Sequence, residues 1–481
     1  MQSYLVPDSL PTTPLTVLSL GILLFFLLFG IYIRSVKHTS YNNADQDIKH
    51  GHRQPELQAQ PESESESESY PPVTPLPNFT WSTTEPAKYR PFKPKYHLTM
   101  GISSLDSSDL IPMDKTYKER LVQRRGLLKE YGDIVRAVNF QPSGSSTQGQ
   151  DLNKKLKEAL CEWYAFVMGV YLPERYPGMF RLVPGSGPGS GSGSFKEKGK
   201  GKKDRGTMLE SLVTGLRVLI DPEELMESGS CSGPDPDSSS PDSSSTSTSI
   251  PDPNPNLEPE HKNLLLLLDT LGTWIDEDFL ILLPSPSPSS PSSEEDEPTQ
   301  YTLQTYSTYF PAGFNPRLKL SHALSTIHAP VPGYKAKLEK SMDRFFAKLE
   351  VGRVVVRLNW SVMTPGTGLF AGFGGLHGHH HDGKVEKKEE DGEEKIPVDG
   401  FDGTDTNIRV ERQTLHRLPR SKALLFGVHT YTYPLQDIKD EGLGEELAVA
   451  IDGLKEGSVP GIHAYKRGPV WGEAVKAFLR G

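Results

Sequence analysis

Residues 152–177, "LNKKLKEALCEWYAFVMGVYLPERYP", place Leu152, Leu156, Leu160, Tyr164, Val167 and Tyr171 three or four positions apart, which predicts a core-facing helix ending before Pro173. The same period returns in "KAKLEKSMDRFFAKLEVG" through Leu338, Met342, Phe345, Phe346 and Leu349, and stops near Gly352. The period then changes to two. In "RVVVRLNWSVM", Val354, Val356, Leu358, Trp360 and Val362 share one face of a strand, and Val355, Arg357, Asn359 and Ser361 share the other. "NIRVERQTL" alternates again, with Arg409, Glu411 and Gln413 on one side. The turn-like "LPRS" leads into "KALLFGVHTYTY", whose β-branched and aromatic residues suit a pleated surface. From "IKDEGL" onward the chain reads as two short helices split by "GSVPG", with Leu443, Leu447, Ile451 and Leu454 facing inward in the first and Trp471, Val475 and Phe478 in the second. Helices followed by antiparallel strands predict an α+β domain. The polar strand faces fit either a pocket lining or plain solvent exposure.

One run is apolar without a period. Thr16–Ile33, "TVLSLGILLFFLLFGIYI", is uncharged and just long enough to cross a bilayer as a helix. The tail 1–15 holds no Lys or Arg, whereas Arg34, Lys37, Lys49 and Arg53 follow the span, so a single-pass anchor with the large domain on the cytosolic side is expected. The sequons at Asn78 and Asn359 point weakly the other way. Residues 34–85, with "PESESESESYPPVTPLP", read as a disordered stalk, leaving 86–481 as the folded domain. Polar, Pro/Gly/Ser-rich or charged tracts near 184–206, 228–256, 284–298 and 371–404 read as surface-loop insertions in that domain.

Composition narrows the chemistry. In 481 residues the hydrophobic share is 35%, with Gly 44 and Pro 41, so linker takes up much of the length. A net charge of -10 argues against a nucleic-acid partner. Cys161 and Cys231 are the only cysteines, which excludes a disulfide framework and favours a reducing compartment. Common zinc spacings and the c-type haem attachment motif do not occur. Neither Gly-rich tract follows a strand and opens a helix, so no nicotinamide loop is visible. His377, His379, His380 and His381 fit a loose metal site or a chance run in a solvated insertion. In "ALSTIHAPVPGY", Pro330 and Pro332 stiffen the chain after His328, which suits either a packing histidine or a metal ligand.

The blocks "KYRPFKPKYHLTMGI", "MDKTYKER", "IHAPVPGY", "RLNW" and "RVERQTLHRLPRSKALLFGVHTYTYPL" together resemble the family named for the alpha subunit of haem-dependent oxidative N-demethylase, in the family's order. The resemblance implies a PAS-like sheet with flanking helices that binds b-type haem. It further implies oxygen-dependent removal of a methyl group from a small secondary amine, with formaldehyde released. Electrons would come from NADPH through a separate reductase. On that basis His328 becomes the expected axial iron ligand, with His322 its nearest competitor. Arg357, Asn359, Arg412 and Gln413 could donate hydrogen bonds to bound oxygen, and Glu411 or Tyr334 could hold an ammonium or relay a proton. Arg357 and Glu411 fit a cross-strand ion pair equally well. Arg409, Arg417 and Arg420 are candidates for pairing with haem propionates. A haem sensor without turnover, or a scaffold without haem, are the competing readings.

Overall fold

The computed structural model describes residues 69–185, 206–229, 256–285, 299–365 and 395–481. The expected anchor at 16–33, most of the expected stalk, Cys231 and the histidine run at 377–381 lie outside these residues. Among the described residues, no helix is long and apolar enough to cross a membrane.

The strands are β1 (Ser103–Leu105), β2 (Arg136–Val138), β3 (Phe180–Pro184), β4 (Thr207–Ser211), β5 (Arg217–Leu219), β6 (Asp278–Pro284), β7 (Tyr301–Ser307), β8 (Val354–Met363), β9 (Asn407–Arg417) and β10 (Leu424–Pro434). The helices are α1 (Tyr117–Val135), α2 (Thr147–Phe166), α3 (Pro222–Ser228), α4 (Pro259–Trp274), α5 (Leu324–His328), α6 (Tyr334–Lys337), α7 (Glu339–Lys348), α8 (Leu435–Asp440), α9 (Gly444–Glu456), α10 (Ile462–Tyr465) and α11 (Gly468–Arg480). Seven strands form one antiparallel sheet in the order β1-β8-β9-β10-β6-β7-β2, and β3-β4-β5 form a small second sheet. The α+β class with a large antiparallel sheet and flanking helices is therefore as the alternation predicts.

The pairing explains why long insertions are tolerated. The tracts near 184–206, 284–298 and 371–404 join β3 to β4, β6 to β7 and β8 to β9, strands that pair with each other. Extra length between paired strands costs only loop-closure entropy, which grows slowly with length.

Alternation gives the main sheet two different faces. Val354, Leu425, Phe279 and Ile281 pack on one side with Trp163, Leu160, Leu268 and Leu271 from α2 and α4. Val355, Leu415, Leu424 and Leu282 join a second cluster with Tyr334, Leu338, Met342 and Phe346 from α6, α7 and the residue between them. The far ends of the strands, through Trp360 and Val410, belong to that cluster together with Leu447, Ile451, Trp471 and Val475 of α9 and α11.

Three expectations need correction. Residues 69–85 are not stalk: Tyr70 stacks on Phe166 with ring centroids 3.5 Å apart, Val73 is buried, and Leu76, Phe79 and Trp81 pack against the core. Their apolar residues were hidden among prolines and serines. The helix at 152–177 does not end before Pro173. It widens into a π turn at Val167–Tyr171, then resumes at Leu172–Arg175, and the wide turn makes room for a ring that lacks an N–H. The C-terminal stretch forms four helices, α8 to α11, rather than two.

Charge is also buried. Arg124 of α1 is fully enclosed, with Nη1 2.8 Å from Asp278 and 3.6 Å from Asp276, and its guanidinium lies 4.2 Å from the Tyr309 ring centre. Arg120 adds a 3.1 Å contact to Asp276. Asp278 in turn accepts from the backbone N–H groups of Tyr309 and Phe310 at 3.0 and 2.9 Å, which fixes the loop after β7. Removing one partner from such a group leaves an uncompensated buried charge. Arg124→Ala is therefore expected to destabilise the folded domain by about 3–5 kcal/mol in urea denaturation. A loss below about 1 kcal/mol would show that these carboxylates find solvent or other partners.

Candidate functional site

Between the second sheet face and helices α5 to α7 lies a cavity of about 340 Å³, in the size range of cofactor and small-molecule sites. Its two walls differ in chemistry because two periodicities meet there. The sheet wall carries Arg357 and Asn359 of β8 and Glu411 and Gln413 of β9. Register sets Arg357 opposite Gln413 and Asn359 opposite Glu411, so the four groups form one contiguous polar patch. The helical wall carries Ile327, His328, Val331, Tyr334, Met342 and Phe345. The polar strand faces are thus a cavity floor, not a solvent face.

Glu411 anchors the floor. It accepts from Arg409 Nε at 3.1 Å, Gln413 Nε2 at 2.9 Å and Asn359 Nδ2 at 3.4 Å, and Arg409 itself is buried. Burial opposes its ionisation, but the charge of Arg409 and these donors outweigh it and hold the carboxyl below the usual glutamate range. Asn359 Oδ1 accepts from Lys466 Nζ at 3.1 Å, and Lys466 also donates to the Trp360 carbonyl. A polar chain Lys466–Asn359–Glu411–Gln413 therefore crosses the floor, with each amide orientation fixed by its neighbours.

Cations dominate around that carboxylate. Burial pushes Lys466 down to about 8 and Lys319, another lining residue, down to about 8, each partly offset by Glu411. Lys319 lies 3.7 Å from the Phe314 ring centre. Arg357 keeps its Nε buried without a hydrogen-bond partner.

His328 is the last residue of α5, and its Nδ1 lies 2.9 Å from the Leu324 carbonyl. A carbonyl can only accept, so Nδ1 carries the proton and Nε2 is left with its lone pair. Burial pushes the imidazole down to about 4, against the help of the Leu324 bond, and the charges of Lys319 and Arg357 act in the same direction as burial. The ring is therefore neutral at physiological pH. It stacks on Tyr334, with centroids 5.0 Å apart. Gly333 makes this close turn possible: its φ is +76°, and a Cβ there would stand 2.8 Å from Val459 Cγ2.

The other expected site residues are placed as follows. Arg409 sits behind the floor, bonded to Glu411, to Thr430 Oγ1 at 3.1 Å and to the Phe310 carbonyl, so it supports the carboxylate and is not available to a propionate. Arg412 projects from the opposite sheet face, where it donates to the carbonyls of Leu110 and Asp109. One-residue alternation separates it from Glu411 and Gln413. Arg417 is spent on the carbonyls of Leu349, Phe346 and Lys422, and Arg420 is largely exposed beside Glu162. Neither lines the cavity. His322 is exposed and outside the lining. Arg357 and Glu411 are not hydrogen-bonded to each other, because Arg409 and the two amides occupy the carboxylate. Lys319 and Lys466 went unseen in the sequence, since both lie in short connections with no period to assign them a face.

Among the described residues no group of three or more His, Cys, Asp or Glu forms a metal cluster. A metal held by a macrocycle needs only an axial side chain, which one neutral histidine can supply.

His416 is a second neutral imidazole, this one fully buried and pushed down to about 3 by that burial, among the Trp163 and Tyr70 rings. An unfolded histidine titrates at about 6.5. In the folded chain neither His328 nor His416 takes up its proton until far lower pH. Their folded pKa values are depressed, so the unfolded state binds more protons, and stability falls as pH drops from about 6.5 toward about 4. His328→Phe should flatten that part of the profile, read from urea midpoints at successive pH values. An unchanged slope would mean that His328 is solvated.

The description "Haem-dependent oxidative N-demethylase, alpha subunit-like" belongs to a family model that matches residues 101–230 and 238–476, most of the chain and most of the cavity lining.

Proposed function

The chain belongs to this family of alpha-subunit-like haem-dependent oxidative N-demethylases, and from that premise we propose that the cavity holds a b-type haem with His328 as the axial ligand. The carrying observation is the state of His328: neutral, with Nδ1–H fixed on a backbone carbonyl and Nε2 free to ligate. The donor set fits the rest of the cofactor. The helical wall is apolar, as a porphyrin face requires, and Arg357 and Lys319 offer cations for two carboxylates. The unpartnered Arg357 Nε is a donor in want of such an acceptor. On this reading the sheet and its helices form a PAS-like haem domain.

The haem supplies oxygen binding and reduction when bound. The overall reaction takes an N-methyl amine, dioxygen, a pair of electrons and a pair of protons to the demethylated amine, formaldehyde and water. The floor supplies what that reaction needs from the protein. Glu411, ionised and fixed by three side chains, is a stationary negative charge that attracts and orients an ammonium substrate. Its low proton affinity makes it an anchor and not a proton donor. A proton can come instead from Lys466, whose pKa of about 8 lies near working pH and which itself lines the cavity. Gln413 and Arg357 present fixed donors on the same wall.

Electrons come from NADPH through a separate reductase. We further propose that residues 16–33, outside the described residues, serve as a single-pass anchor with the domain on the cytosolic side, where a membrane-bound reductase would meet it.

The test is spectroscopic first. The purified chain supplied with haem should show a Soret band that is lost or shifted in His328→Ala. No Soret band would remove the haem reading. With haem bound, Glu411→Gln should lower kcat/KM for formaldehyde release from small secondary amines by about 100-fold, with little change in the Soret band. Gas binding without formaldehyde from any amine would leave a haem sensor in place of an enzyme.

A further inference from the structure

The reverse face of the sheet holds a second cavity, of about 640 Å³, that the haem reading does not use. Its size falls in the range of small-molecule sites. It lies over β8 and β9 where Leu358 and Trp360 alternate to the side away from Glu411, and where Arg412 stands directly opposite Leu358. Ala450 and Leu454 of α9, and the segment that runs from Tyr89 through Tyr96 to Met113, close it. β1 pairs with β8 only at Val354–Val356, so beyond Val356 the outer edge of β8 carries no strand among the described residues. Around that edge both cavities count Arg357 and Asn359 in their lining.

Arg412 is the charge in this cavity that the protein leaves uncompensated. Six arginines are buried among the described residues. Five of them touch a carboxylate: Arg120 with Asp276, Arg124 with Asp278, Arg136 with Asp269, Arg175 with Asp109, and Arg409 with Glu411. Arg412 instead donates to the carbonyls of Leu110 and Asp109, and makes no ion pair among the described residues. A buried guanidinium held by neutral acceptors alone keeps most of its desolvation cost, which an anion in contact would offset. The lining does not supply that anion. Its one carboxylate, Asp109, is held by Arg175 at 2.5 Å, and Glu277, within electrostatic range of Arg412, is held by His429 Nδ1 at 3.2 Å. Arg357 and the exposed Lys93 add further positive charge. The rest of the lining is rich in rings, with Tyr89 set edge-on to Tyr431 at 5.3 Å between centroids and Trp360 on the strand beside them. Such walls accept a flat ring through offset or edge contacts.

We propose that this second cavity is a binding site for a small aromatic carboxylate, with the ligand's carboxylate on Arg412 and its ring among Tyr89, Tyr431 and Trp360. The two backbone carbonyls leave guanidinium N–H groups over for a further acceptor, and the planar fork suits a carboxylate. Charge selects the acid over neutral aromatics, and the ring-lined walls select it over small inorganic anions. The site is independent of iron. It stands across the sheet from His328 and holds whether or not the first cavity carries haem.

The experiment titrates the full-length, haem-loaded chain by calorimetry with 2-naphthoate as probe and its neutral amide as control. The wild type should bind naphthoate about tenfold or more tightly than the amide. Arg412→Gln should abolish that preference by weakening naphthoate alone, and Arg412→Lys should restore part of it. The preference is a ratio within each protein, so a partly unfolded variant, which weakens both ligands equally, does not imitate its loss. Tyr89→Ala leaves the buried charge in place and should weaken acid and amide alike, by about two- to tenfold. Absence of naphthoate binding by the wild type, equal binding of acid and amide, a preference that survives in Arg412→Gln, or unchanged affinities in Tyr89→Ala would each overturn the proposal. So would a preference lost in Lys319→Gln and kept in Arg412→Gln, because the anion would then sit in the first cavity. Octanoate bound as tightly as naphthoate would overturn the aromatic class. In a chain that shows no Soret band, an Arg412-dependent preference would still support the second site while the haem reading falls.

Discussion

A carboxylate kept ionised without bulk water is the constraint around which this domain is arranged. An isolated buried carboxylate would take up a proton, since desolvation costs several kcal/mol. Glu411 keeps its charge because β9 places Arg409 and Gln413 two residues to either side on the same face, and β8 places Asn359 directly opposite. The arrangement works only in one register. A slip of one residue would send all of these groups through to the apolar face and bring Trp360 and Val410 into the cavity. Thus β8 and β9 are fixed by electrostatics as much as by packing.

The rest of the structure serves that register. On the far side of the sheet, α2 and α4 supply an apolar layer against which Phe279, Ile281 and Leu425 close. On the near side α5 to α7 exclude water with a wall of large apolar side chains, into which one histidine and one tyrosine intrude. The buried Arg124–Asp278 pair holds the end of β6 and, through the backbone of Tyr309 and Phe310, one rim of the cavity. Arg409 reaches the same rim by donating to the Phe310 carbonyl. The charged groups inside the domain therefore form linked supports for a single cavity.

Alternation was legible because it is a local property. The split of Arg357 and Asn359 from Val354 and Val356, and the grouping of Arg409, Glu411 and Gln413, can be read from the sequence with a pencil. What alternation could not say was which face met solvent, because that depends on how α5 to α7 pack against the strands. Arg412 shows the risk of reading a cluster as a site: its neighbours in sequence line the cavity while it braces Asp109 and Leu110 on the reverse. Arg417 and Arg420 failed for a similar reason, as backbone carbonyls and Glu162 claim them. Lys319 and Lys466 were illegible because short connections carry no period. Residues 69–85 were misread because composition averages over a window, and a few apolar anchors among prolines and serines are enough to dock a strap.

The central claim is that one cavity, polar below and apolar above, presents His328 to an iron. Iron-edge anomalous diffraction from crystals of the haem-loaded chain addresses it most directly. The account predicts a single strong anomalous peak at bonding distance from His328 Nε2, in the space bounded by Tyr334, Met342, Arg357 and Gln413. A peak ligated by any other side chain, or placed outside that cavity, would contradict it.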